Sequence, residues 1–199
     1  MLEITALPVV VPLAVVAFVL LLWMLRRRDA LTLPRVLLAI VTCVYGAGVI
    51  ANTLLPISLG GESNPLPWTV FINLVPLAQT EPSDMLQNVV LFAPLGILLP
   101  LVLRVDSVLK VLLSGLIVSF VMEALQFVNA VFWHGGHIAD INDLLSDTIG
   151  VLIGYGIFRA LLLLPVAKRL ASALTFPAKA AASSLSDPAA DTAAGAATP

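Results

Sequence analysis

The chain has 199 residues, of which 60% are apolar and 11% charged, against roughly 45–50% and about 25% in a soluble domain. At a mean hydropathy of +1.06 it carries more apolar surface than one core of this size can hide. That excludes an ordinary cytosolic enzyme, a disordered protein and a nucleic-acid binder, and points to an all-α polytopic membrane protein. The net charge of −2 says little, because the two signs are segregated along the chain. Cys43 is the single cysteine, so an intramolecular disulfide and a thiolate metal site are ruled out and Cys43 reads as an apolar helix residue.

A membrane helix needs about 20 mostly apolar residues, and five stretches qualify. They run from about Pro8 to Leu25, Pro34 to Leu55, Leu86 to Leu103, Val108 to Val131 and Leu144 to Leu164. The basic residues set their direction. Arg26, Arg27, Arg28 and Arg35 fall between the first two spans, and Arg104 and Lys110 between the third and fourth. Arg159, Lys168, Arg169 and Lys179 fall at or after the end of the fifth. With five spans all ten basic residues lie on one side, which the positive-inside rule makes cytoplasmic. The N-terminus is then outside and the C-terminus inside, in a multi-pass membrane protein. Nothing basic precedes the first span and three arginines follow it, so it reads as a retained anchor rather than a cleaved signal.

The loop between spans two and three is acidic and proline-rich. Within it Leu66 to Ala78, broken by Pro67, Asn73 and Pro76, is too interrupted to span. Trp68, Phe71, Ile72 and Val75 are spaced i, i+3, i+4, i+7, which fits either a short helix at the outer interface or an ordered loop with aromatics at headgroup level. The segment from Phe176 to Pro199, rich in Ala, Ser, Pro and Asp, lacks a periodic apolar face and reads as a disordered cytosolic tail.

Ionisable groups inside spans are costly and face protein or water, which makes them functional candidates. Glu123 lies within span four, roughly 12 Å from its outer end at 1.5 Å per residue. Ser119 and Gln126 share its helix face at i−4 and i+3. A structural role, a protonated Glu holding a neighbouring helix, competes with a functional one. Span five opens with Asp140, Asn142, Asp143 and Asp147. Asp140 and Asn142 suit helix capping. Asp147 lies about 6 Å inside Asp143, deeper than capping requires. Ser146, Gly150 and Gly154 make a small-xxx-small row for close helix packing. Span three opens with Asp84, Gln87 and Asn88, and span two ends with Asn52. By depth, Asn52, Asn88, Glu123, Gln126, Asp143 and Asp147 all fall in the outer half, so helices two to five are expected to enclose a polar cavity open to the outside. Pro94, Gly96 and Pro100 mark span three as kinked or closely packed. His134 and His137, with two glycines between them, lack diagnostic zinc spacing. No metal or cofactor is expected, and His137 reads better as a donor to a ligand.

Together these blocks resemble the VanZ-like family of bacterial membrane proteins. The resemblance rests on Asn73-Leu-Val-Pro76, on the run from Asn88 through Pro94 and Gly96 to Pro100, and on Glu123-Ala-Leu-Gln126. It extends through Asp140-Ile-Asn-Asp143-Leu-Leu-Ser-Asp147-Thr-Ile-Gly150 to Gly154-Tyr155. The family commonly has Arg where His137 stands, Asp at Asn142 and Asn at Asp147. The last two differences offset in charge, while His137 replaces the arginine's cation only when protonated. The resemblance covers about Asn73 to Tyr155, with span two a looser extension, and the expected division of the chain is an N-terminal anchor and basic cytoplasmic loop over residues 1–33, a VanZ-like transmembrane domain over 34–165, and a disordered cytoplasmic tail over 166–199. The family's namesake is associated with low-level resistance to teicoplanin-type glycopeptides.

Three functional classes fit these residues. The first is a binding protein whose outer cavity holds a glycopeptide or a lipid-linked cell-wall precursor through Asn73, Asn88, Glu123, Gln126, His137, Asp140, Asp143 and Asp147. The second is an enzyme acting on a lipid-linked substrate, with Glu123 and Asp143 as acid and base. The third is a small-molecule or proton-coupled transporter with Glu123 as relay. Membrane lipids are the other expected partners, and nucleic acid is not one.

Overall fold

The computed structural model of the protein describes residues 2–59, 66–78, 80–133 and 138–178. Helix α1 (Ala6–Arg27) leads to α2 (Leu33–Leu54), then α3 (Pro82–Leu103), α4 (Val108–Trp133), α5 (Ile141–Leu161) and a short α6 (Pro165–Leu174). The first five are long and apolar enough to cross a membrane, and the protein is an all-α multi-pass membrane protein. The expected spans are recovered with shifted edges. The third starts earlier because Pro82, whose missing N–H costs nothing at a helix start, opens α3 after Glu81. The fifth stops at Leu161 because Leu164, preceding Pro165, is extended (φ −84°, ψ 126°).

Up-and-down connectivity gives the bundle two chemically distinct ends. At one, α1 stops, α2 starts, α3 stops, α4 starts and α5 stops; every described Lys and Arg lies there. We call this the basic end. The other, where α2 and α4 finish and α3 and α5 begin, is the acidic end.

The tightest helix pair is α3 with α5. A Cβ at Gly150 would strike the backbone of Val89, one at Gly154 the carbonyl of Ala93, and one at Gly96 the backbone of Val151 and Tyr155. Three glycines, Gly150 and Gly154 of α5 and Gly96 of α3, thus let two backbones touch. Gly115 of α4 closes on the Val151 side chain at 3.0 Å. A core of Val49, Phe92, Leu99, Val111, Met122, Val151 and Tyr155 ties α2 to α5 together. Helix α1 packs on α2 and leaves Val15, Val19 and Trp23 exposed, as suits a surface in lipid.

Two small ribbons cover the acidic end. Strand β1 (Leu2–Ile4) pairs antiparallel with β2 (Ile57–Leu59). Strand β3 (Ile72–Asn73) pairs parallel with β4 (Ala139–Asp140), in register Asn73 with Asp140. The aromatic loop is a 3-10 turn over Trp68–Phe71, with Trp68 edge-on to Phe127 of α4 at 6.4 Å. Helical geometry ends at Phe71 because the next two residues are drawn into the β3–β4 ladder, so Ile72 and Val75 do not continue a helical face.

The tail expected over residues 166–199 is corrected in its first part. Residues Pro165–Leu174 form α6, and Phe176 is buried at 1% exposure among Leu25, Ala30, Leu38, Ala39, Leu98 and Leu101. Its N–H donates to the Leu101 carbonyl (2.9 Å). Arg35 donates to the Thr175 carbonyl (3.0 Å) and Arg28 to that of Pro177 (2.8 Å). Two arginines and one aromatic plug thus hold a segment whose own composition gives no sign of order. Residues 179–199 lie outside the described residues.

Candidate functional site

The site grows from the start of α5. Asp140 caps that helix, its Oδ1 accepting the Asn142 N–H (2.8 Å), which satisfies a donor the helix cannot. The same oxygen accepts from the Asn142 side-chain amide (2.8 Å), and Oδ2 accepts from Asn73 (3.0 Å). The Asp140 N–H in turn donates to Glu123 Oε2 (2.7 Å). One aspartate therefore joins β3, α4 and α5.

Asn73 and Asn142 hold the loop over 73–78. Asn73 Oδ1 accepts the Val75 N–H (3.1 Å), and its amide also donates to the Ala78 carbonyl (3.1 Å). Asn142, fully buried, accepts the Leu77 N–H (2.6 Å) and donates to Ala78 O (3.3 Å). Leu77 is left-handed, at φ 60°, a conformation unfavourable for a leucine and held here by the Asn142 bond.

Below this network, Ser119 donates to Asp147 Oδ2 (2.7 Å). Gln126 donates to the Thr53 carbonyl (3.2 Å) and Asn129 to that of Leu54 (3.0 Å), which ties α4 to the open end of α2. Asn88 lies beside the Asp143 carboxyl. Gln126 Oε1, Asn129 Oδ1 and Asp147 Oδ1 are buried with no hydrogen-bond partner among the described residues. All three are acceptors, and buried acceptors ordinarily find a donor.

Beside the network runs a groove of about 300 Å³. Ile72, Leu74, Phe120, Ala124, Phe127 and Leu144 supply its apolar lining, and Glu123 and Asp140 stand in the same wall. Glu123 is 9% exposed, and Asp140, Asp143 and Asp147 are its charged neighbours. Of the residues expected together by depth, Glu123, Asp143 and Asp147 are near one another, and Asn73 and Asp140 join Glu123 through the hydrogen bonds above. Asn88 and Asp143 sit together at the α3–α5 start, and Gln126 faces α2. Asn52 is exposed and stands apart. The polar groups bond mainly to one another, and the open space beside them is apolar.

One comparison with known proteins covers the segments from which this site is built. The family described as VanZ/LLP1 matches residues 36–164, more than half of the chain. The chain belongs to the VanZ/LLP1 family. No curated protein and no solved structure matches it.

Against the family pattern, Asn142 is the informative departure. Its amide accepts from Leu77 while donating to Asp140, and an aspartate in its place cannot donate while ionised. His137, the expected ligand donor, lies outside the described residues. Sequence reasoning treated Asn142 as a cap alternative, whereas Asp140 is the cap and Asn142 is the loop clamp. It also missed Asn129. The signal was present: Asn129 follows Gln126 by three residues and extends the Ser119–Glu123–Gln126 stripe.

Proposed function

We propose that this VanZ/LLP1 membrane protein binds an acylated amphiphile of the bacterial envelope at the acidic end of its bundle, which faces the outside of the membrane. The acyl chain lies in the groove along Phe120, Ala124, Phe127 and Leu144. The polar head meets Glu123, Asp140 and Asp143. The observation that carries this reading is one wall containing both an apolar groove and the buried Glu123 carboxyl; ligand sites characteristically pair apolar walls with a few fixed polar groups.

The charge distribution narrows the head group. No Lys or Arg among the described residues lies at this end, and the ionisable side chains in the groove wall, Glu123 and Asp140, are both carboxyl groups. A head rich in N–H and O–H donors suits these groups, and a bare phosphate does not. This favours an acylated glycopeptide over the pyrophosphate portion of a lipid-linked precursor. It also ties the site to the glycopeptide-resistance phenotype that the family resemblance implies.

The test is teicoplanin susceptibility of a sensitive bacterium expressing the chain, beside Glu123→Ala and Asp143→Ala at matched membrane levels. Direct binding of an acylated glycopeptide is measured against its deacylated form. Resistance lost in both variants, with binding that requires the acyl chain, supports the reading. Equal binding of the two forms, or susceptibility indifferent to the chain, overturns it.

A further inference from the structure

The acidic end leaves the opposite end unexplained, and there the structure carries a second cavity. It measures about 510 Å³ and lies between the end of α3, the end of α5 and the start of α6, within the roughly 300–1,000 Å³ of small-molecule sites. Arg104, Arg159 and Lys168 line it, with Pro100, Phe158, Leu162 and Leu163 as apolar walls.

None of these three cations has an ion pair among the described residues. The one carboxylate in the lining, Asp106, is taken by Lys110 at 2.7 Å. Arg159 is held in place: it donates to the Tyr155 hydroxyl (3.0 Å), which donates to the Asp106 carbonyl (3.0 Å). Arg104 projects from a left-handed residue (φ 57°) that terminates α3. The pocket therefore sets three cations against one carboxylate, and that carboxylate is already paired with Lys110.

Its surroundings show the depth at which it sits. In α6, Val166 and Leu170 are exposed apolar residues beside Lys168 and Arg169, and Leu163 and Leu164 are exposed just before it. A short helix with one apolar and one basic face lies in the membrane interface. The buried Phe176 anchors its far end, so α6 is set against the bundle at headgroup level.

We propose that this pocket holds the headgroup phosphate of an anionic phospholipid. Arg104, Arg159 and Lys168 meet the phosphate, and Phe158, Leu162 and Leu163 meet the glycerol and upper acyl carbons. Basic pockets between membrane helices recognise anionic headgroups in this way. The exposed apolar rim selects a lipid over a free phosphate ion.

The full chain, purified in mild detergent, is titrated by native mass spectrometry with phosphatidylglycerol, phosphatidylcholine and inorganic phosphate. Phosphatidylglycerol is expected to bind more tightly than phosphatidylcholine. Arg104→Gln and Lys168→Gln are each expected to weaken it about fivefold. Lys168→Arg keeps the charge and the affinity, which separates lost charge from lost folding. Arg169→Gln, outside the pocket lining, leaves binding unchanged. Equal affinity for the two lipids, equal loss in Arg169→Gln, or equal loss in Lys168→Arg and Lys168→Gln overturns the proposal. So does inorganic phosphate displacing the lipid at equal concentration.

Discussion

The Asp140 N–H donates to Glu123 Oε2 at 2.7 Å, joining the first residue before α5 to a carboxyl in α4. That bond and the cap it serves make Glu123 part of the scaffold as well as part of the groove wall. Glu123→Ala leaves a part-buried N–H without its acceptor, at a cost of about 1–3 kcal/mol. Glu123→Gln retains an acceptor oxygen and is expected to cost less. Thermal unfolding in detergent ranks the two, and an Ala variant as stable as the native chain would show the bond to be dispensable.

The α3–α5 seam makes a sharper prediction. Gly150→Ala and Gly154→Ala each drive a methyl group into backbone of α3 and are expected to destabilise by about 1–3 kcal/mol. Gly156→Ala, where an added Cβ meets nothing within 4 Å, is the matched control and is expected to be neutral or slightly stabilising. Equal unfolding temperatures for Gly154→Ala and Gly156→Ala would contradict the packing described above.

Asn142→Asp restores the residue common in the family but removes the donor to Asp140 and sets two carboxyl groups together. The expected loss is about 1–3 kcal/mol, with faster proteolysis of the loop over 73–78, whose Leu77 conformation Asn142 holds. Limited proteolysis reads the loop separately from global stability. A loop cut no faster in the variant would assign the clamp to other residues.

Ser119→Ala deprives the buried Asp147 carboxyl of its described partner. A destabilisation of about 1–3 kcal/mol is expected. In the double variant Ser119→Ala with Asp147→Ala the costs should fall short of additivity, because each substitution removes the same bond. Strict additivity in a double-mutant cycle would mean that the two residues act independently.

At the basic end, Phe176→Ala opens a cavity among Leu25, Leu38, Leu98 and Leu101. The expected cost is about 3 kcal/mol, and α6 should become accessible to protease. The pair Lys110 with Asp106, also at this end, is exposed. The Lys110 hydrogen bond holds the Asp106 carboxyl below its ordinary range, so whatever it contributes is present above the usual Asp range and disappears as pH falls through the lowered value. Charge reversal at Lys110 should accordingly matter far less than Phe176→Ala.

How much of this was legible in the chain depends on the range of the interaction. Span number, the segregation of basic residues and the Ser146–Gly150–Gly154 row are local patterns, imposed by bilayer thickness and helical period. Glu123 and Asp147 were marked by the cost of polar groups in an apolar setting, which is a property of each residue alone. Tertiary structure decided who bonds to whom: Glu123 to the Asp140 backbone, Asn142 to a loop 64–65 positions away, Phe176 to a core formed by α1, α2 and α3. These partners are far apart in sequence, and no periodicity records them. The groove beside Glu123 and the cationic pocket beside Arg159 likewise join residues far apart in the chain. Composition therefore determined where the protein resides, and packing decided what its polar groups face.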